Sequence, residues 1–170
     1  NSGNLIWQSQ TINQDIFESA FLLKSSRLVS DKDTLFISNN QNKFFAIDMR
    51  NGFIKWEQTI NSYLEPTIIG NLVLTVSQEG YLIVIDKVTG NILRSTYILN
   101  NKNKKVFPTG FIVAKRFVYV SLSNGRLLKV NIEDGKTKDI IKIDGDKISR
   151  PYILNKNMYI LRNDAIVKVE

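Results

Sequence analysis

The residues of this chain best placed to do chemistry are carboxylates in a recurring setting. Asp48 and Asp86 each close a short apolar strand, and each stands four residues ahead of a glycine, Gly52 and Gly90. A third copy places Asn131 four residues ahead of Gly135. Two tryptophans, Trp7 and Trp56, each follow a glycine by four residues. Carboxylates can act as general bases, and an indole can stack on a flat cofactor. The rest of the inventory is restrictive. There is no Cys and no His, which removes disulfides, thiolate nucleophiles, Cys/His zinc sites and Ser-His-Asp triads. Any general base at neutral pH would be a carboxylate, Lys or Tyr with a shifted pKa. Tyr63, Tyr97 and Tyr152 show no catalytic arrangement, and no Gly-rich run leads into Lys-Ser or Lys-Thr. Asp and Asn at strand ends cap turns, so Asp48 and Asp86 read as structural and no metal site is expected.

The elements that carry these residues repeat. A short apolar strand ends in an acidic or amide residue, a turn with glycine follows, and a second strand begins. The copies are 44–52, 81–90 and 126–135, and a fourth is split between 165–170 and 3–7. A period of roughly 40 residues built from four short strands marks a propeller blade. The expected fold is all-β, a β-propeller of about four four-stranded blades, with repeats over 20–61, 62–100, 101–144 and 145–170 completed by 1–12. The three prolines, Pro66, Pro108 and Pro151, each stand at the mouth of a repeat, where a missing N–H costs no ladder bond. For the second repeat the strands are read at 67–70, 72–77, 81–86 and 91–99, the last more polar, as an outer edge should be. Residues 13–25 hold the best helical spacing, in Phe17, Phe21 and Leu22, and otherwise read as an extended connection. Unpaired edges template aggregation, so residues 4–10 are expected to supply the outer strand that 150–169 lack. A closed four-bladed ring, a half-ring paired with a second copy, and a fragment of a larger ring all satisfy that pairing.

The 170 residues are 43% hydrophobic and 23% charged, enough for a core and unlike a disordered chain. The net charge is +7, but Lys102, Lys104, Lys105, Lys136, Lys138 and Lys142 lie in turns with no interleaved aromatics. A solvated basic surface is the reading, rather than a nucleic-acid site. No apolar run approaches the ~18 residues of a membrane span. Residues 1–20 carry neither a basic n-region nor an apolar core, and the chain begins inside a repeat, which predicts residues upstream of it.

The phrase Ala46-Ile47-Asp48, three residues, Gly52, then Trp56 resembles the repeat of the PQQ-like β-propellers, and Gly3 with Trp7 matches it too. Gly90 keeps the glycine with Arg94 at the Trp position, and Gly135 has Asp139 there. Within that superfamily the chain is similar to the BamB family, the lipoprotein subunit of the outer-membrane β-barrel assembly machine, in its C-terminal half. The resemblance implies a non-enzymatic scaffold in the periplasm that needs no cofactor. Its implied partners are the periplasmic domains of the barrel-inserting subunit and unfolded outer-membrane proteins. Membrane attachment would come through an N-terminal lipid anchor outside this sequence. Family members bind partners through loops between blades, and the nearest counterpart is Ser62-Tyr63-Leu64-Glu65-Pro66, where an exposed Tyr63-Leu64 pair beside Glu65 would suit a partner contact, set against a turn whose Tyr and Leu cover the core between blades. Arg27 and Arg150, at one phase of the repeat, are candidates to line a rim. The same resemblance assigns Trp7 and Trp56 to a docking motif between blades, with Gly52, Gly90 and Gly135 as structural residues of the repeat. Two alternatives remain: a quinoprotein dehydrogenase remnant using PQQ and calcium, and the sensor propeller of an envelope receptor or kinase.

Overall fold

The computed structural model describes residues 3–11, 24–99 and 106–169. These form strands and turns, and no helix occurs among the described residues. The first sheet joins β1 (Val29–Asp31), β2 (Thr34–Asn39), β3 (Lys43–Asp48) and β4 (Ile54–Gln58). The second joins β5 (Thr67–Ile69), β6 (Leu72–Val76), β7 (Tyr81–Asp86) and β8 (Ile92–Tyr97). The third joins β9 (Pro108–Ala114), β10 (Phe117–Leu122), β11 (Arg126–Asn131) and β12 (Thr137–Lys142). The fourth has three strands, β13 (Tyr152–Leu154), β14 (Asn157–Arg162) and β15 (Ala165–Val169). Strands neighbour one another in chain order in every sheet.

The registers repeat as the sequence does. Ser38 faces Phe44, Ser121 faces Leu127 and Leu161 faces Ile166. The third-to-outer pairing breaks register at one phase, between Ala46 and Ile47 and again between Lys129 and Val130. The prolines fall where a missing donor is harmless: Pro66 and Pro151 directly precede β5 and β13, and Pro108 opens β9. The sheets are the expected ones, with the second repeat's strands trimmed by a residue or two at several ends. The outer strand anticipated at 4–10 does not appear as one, since residues 3–11 belong to no sheet. Most of 13–25 lies outside the described residues, and Ser25 forms an isolated antiparallel bridge to Asn39 rather than a helical turn.

The chain divides into two compact units, Asn1–Thr75 with Val84–Leu93, and Val76–Ile83 with Arg94–Glu170. In the first, Phe36 and Phe44 are fully buried, and the Trp56 ring stands edge-on to Phe44 at 5.6 Å. In the second, Leu127, Ile148 and Ile160 form a cluster with Tyr119, Ile141, Ile143, Met158 and Val169 packed around it. One serine phase ties the entering segment to the second strand of its sheet. The Ser38 N–H donates to the Ser26 hydroxyl at 3.0 Å, and the Leu161 N–H donates to the Ser149 hydroxyl at 2.9 Å. The repeated Ser-Arg pair thus owes its serine to a backbone clasp.

Candidate functional site

Each recurring turn is built in the same way. The Gly52 N–H donates to the Asp48 carbonyl and the Gly90 N–H to the Asp86 carbonyl, at 2.8 and 2.9 Å, and Gly135 repeats this with Asn131 at 2.9 Å. The side chain of the same residue accepts from N–H groups inside the turn. Asp48 takes the Arg50 N–H, Asp86 those of Val88 and Thr89, and Asn131 that of Glu133. The job needs an oxygen acceptor but no charge, which is why Asn serves as well as Asp. Hydrogen bonds from the Thr89 N–H and hydroxyl hold the Asp86 carboxyl below the usual carboxylate range. The Arg50 guanidinium and N–H hold Asp48 far below it.

The glycine of each turn is a seat. Gly52 and Gly90 lie at φ +75° and +77°, a backbone that favours glycine. A Cβ on Gly52 would stand 2.6 Å from the Trp7 ring, and one on Gly90 would stand 2.6 Å from the Trp56 ring. The Trp7 Nε1–H donates to the Met49 carbonyl at 2.9 Å, and the Trp56 Nε1–H to the Lys87 carbonyl at 3.0 Å. Met49 and Lys87 occupy the same turn position, three residues before the glycine. Two positions after each Trp, Ser9 and Gln58 donate to the carbonyls of Gly52 and Gly90. The third joint replaces the indole with Arg94, whose guanidinium donates to the carbonyls of Ile132 and Glu133. Ile132 again stands three residues before the glycine, and Thr96 lies over Gly135, 2.5 Å from where a Cβ would be. Arg94 therefore carries the joint that its departure from the motif seemed to abandon. The only sequence signal for this was its place in the register.

Within the first unit a cleft of about 280 Å³ opens between the strand ends of β1, β2 and β4 and the turns at Asn71 and Lys87. Lys55 and Lys87 pair with acids at its wall. The Lys55 ammonium reaches Asp33 at 3.1 Å, Thr34 at 2.7 Å and Asp48 at 3.6 Å. Lys87 pairs with Asp31 and donates to the Gly70 carbonyl at 2.8 Å. Hydrogen bonding and attraction from Lys55 keep Asp33 below the normal carboxylate range. These residues come from two repeats, so no local motif announced the cluster. Among the described residues no group of three His, Cys, Asp or Glu side chains could hold a metal ion.

The loop entering the second repeat treats Tyr63 and Leu64 differently. Leu64 is only 6% exposed, so the pair is not presented together. Its N–H is drawn in by the Ser62 hydroxyl, which also contacts the Thr75 hydroxyl at 3.2 Å. Tyr63 stays half-buried with the Lys24 ammonium 5.4 Å above its ring, and burial raises its phenol pKa. Glu65 is likewise half-buried. Arg27 is exposed, while Arg150 packs its Cβ over Gly110 and places its guanidinium 5.5 Å from the Tyr152 ring.

Four-strand repeats whose outer strand plants a side chain on the glycine turn of the next repeat define a β-propeller of PQQ-like blades, here part of one. Comparison with known proteins narrows this. The sequence model of the family described as outer membrane protein assembly factor BamB matches residues 1–96, more than half of the chain, and the chain belongs to that family. No curated protein matches it. BamB from Moraxella catarrhalis superposes with a TM-score of 0.68 at 15% identity, over 84% of this chain and 42% of that one. The chain thus spans less than half the length of that relative. The computationally designed Ika4 protein superposes at 0.75 and 13% identity over 98% of both chains. Quinohemoprotein alcohol dehydrogenase from Comamonas testosteroni does so at 0.57 and 17% identity, over 68% of this chain and 20% of that one. At these identities the structural likenesses define the fold alone. The residues here do not fit a quinone and its calcium ion: both indoles are committed to glycine seats, and the described acids form no ligand set.

Proposed function

We propose that the chain is a non-enzymatic protein-binding scaffold of outer-membrane β-barrel assembly. The observation that carries this reading is family membership, with blades whose aromatic and acidic repeat residues are used up in turns and joints. What is left for function is surface. On this reading the chain works in the periplasm and binds the periplasmic domains of the barrel-inserting subunit through the loop at 62–66. Tyr63 and Glu65 make the contact, Leu64 anchors the loop from within, and Arg27 and Arg150 contribute at the rim. An amphipathic Tyr fixed by burial on one side suits such a contact because little side-chain entropy is lost on binding. Titration of those purified domains by interferometry tests it. Binding that Tyr63→Ala weakens at least tenfold, with thermal stability retained, supports the reading. No binding at tens of micromolar, or binding indifferent to Tyr63→Ala and Glu65→Lys alike, overturns it.

A further inference from the structure

One end of the third sheet gathers cations around an aromatic ring. Lys115 and Arg116 form the exposed tip between β9 and β10. The Arg116 guanidinium stands 5.8 Å from the centre of the half-buried Phe117 ring. Lys129, opposite Tyr119 in the ladder, brings its ammonium to 4.6 Å from the same ring. The Tyr119 ring lies edge-on to Phe117, with 6.5 Å between centres. Among the described residues none of Lys115, Arg116 and Lys129 forms an ion pair. The nearby acids are engaged elsewhere. Asp134 pairs with Lys138, and Asp139, opposite Lys129, accepts the Ile140 N–H at 2.8 Å. Glu133 is the remaining exposed acid of the neighbouring turn, which the Ile132 N–H ties to the Arg116 carbonyl at 2.9 Å. The three cations and Lys136 outnumber it.

This tip does not owe its exposure to a chain terminus. Arg94 docks on the Ile132 and Glu133 carbonyls from the preceding repeat, and Ile160 of the following one packs in the cluster with Leu127. The backbone adds a second observation. Lys115 stands at φ +55°, a conformation that costs a lysine more than a glycine or asparagine. The same turn position holds Gly70 at +57° and Asn155 at +49°. The lysine therefore gives the turn nothing that glycine would not, and what it adds is an exposed ammonium.

We propose that this tip is a contact for a bilayer surface carrying anionic phospholipid. Lys115, Arg116 and Lys129 take the phosphates, and Phe117 and Tyr119 lie at headgroup depth. Basic residues around aromatic rings are the combination that suits a membrane–water interface. A hairpin tip is convex, so it can rest on a broad charged surface but cannot enclose an acidic peptide. The contact is independent of the partner loop at 62–66.

Cosedimentation with vesicles of equal parts phosphatidylglycerol and phosphatidylcholine, in about 0.15 M salt, tests it. The chain is expected to sediment with these vesicles and to stay in solution with phosphatidylcholine alone. Arg116→Gln with Lys129→Gln is expected to weaken binding at least tenfold with an unchanged far-ultraviolet spectrum, each cation near an anionic surface being worth roughly fivefold. Arg126→Gln with Lys142→Gln removes the same charge from residues paired at the sheet's opposite end. That pair is expected to change binding by less than about twofold, since it lies beyond a screening length. Lys115→Gly is expected to weaken binding about fivefold while the melting temperature holds or rises, a divergence that a purely structural lysine would not give. Absence of binding to the anionic vesicles, equal binding to neutral ones, equal losses in the two double variants, or unchanged binding by Lys115→Gly each overturns the proposal.

Discussion

The Trp56 side chain packs against Gly90 and donates its Nε1–H to the Lys87 carbonyl at 3.0 Å. The contact leaves no room for a side chain, because a Cβ at Gly90 would meet Trp56 Cγ at 2.6 Å. Gly90→Ala combines this overlap with a strained φ and is expected to lower stability by about 2–4 kcal/mol. Gly70, at φ +57° with nothing within 4 Å of its would-be Cβ, supplies the control. Gly70→Ala carries only the backbone penalty, about 1–2 kcal/mol. Urea midpoints of the two variants measure the difference, and equal losses would remove steric fit from the account of the seat.

Trp56 itself is 8% exposed and packs against both Phe36 and Phe44. Trp56→Ala is expected to cost about 3–5 kcal/mol through lost burial and the cavity left behind. Trp56→Phe keeps most of the area but leaves the Lys87 carbonyl without its indole donor, and a loss of about 1–2 kcal/mol is expected. Thermal denaturation of the pair separates packing from hydrogen bonding.

The third joint makes a different demand. Arg94 serves two carbonyls, those of Ile132 and Glu133, with two nitrogens of one planar fork. Lysine offers a single ammonium and does not reproduce that geometry. Arg94→Lys is expected to destabilise the chain by about 1–2 kcal/mol despite conserving charge. A Lys variant as stable as the parent would show that charge alone holds the joint.

Acid should loosen the turns. Asp33, Asp48, Asp86, Asp134 and Asp144 all have carboxyls held below the ordinary range, chiefly by Lys55, Arg50, the Thr89 N–H, Lys138 and the Gly145 N–H in turn. Their folded pKa values lie below their unfolded ones, so the unfolded chain binds protons first as pH drops. The stabilisation is complete above the unfolded value of about 3.9 and is lost as pH falls from there through the folded values. Midpoints recorded between pH 6 and pH 2 should be flat at first and then decline steeply. Asp86→Asn should flatten that decline slightly and lose less at neutral pH than Asp86→Ala, since Asn131 already performs the same role uncharged.

Adding PQQ with calcium is expected to leave the melting temperature and the absorption spectrum of the quinone unchanged. A shift of several degrees that requires both additives would revive the dehydrogenase reading.

How far the sequence could be read depended on whether a residue's role repeats. The Asp-to-Gly spacing, the prolines before β5 and β13, and the paired tryptophans recur at one phase, so they exposed the four sheets before any coordinates did. Roles that arise between repeats left no such trace. Lys55, Asp33, Asp31 and Lys87 meet in a cleft only because two sheets bring them together. Arg94 looked like a lapse in the motif because sequence comparison scores residue type, whereas the joint requires a donor aimed at a particular carbonyl. At Leu64 two readings stood open, a partner contact or cover for the core between blades; the Ser62 hydroxyl accepts from its N–H and its side chain is buried.

Because each sheet is made of strands consecutive in the chain, no ladder waits on a distant segment. The entropy of loop closure is therefore small for every pairing, and sheets so built form quickly once their own stretch of chain is free. During synthesis such a molecule could order itself stepwise from its amino end, each finished module offering a template for the next.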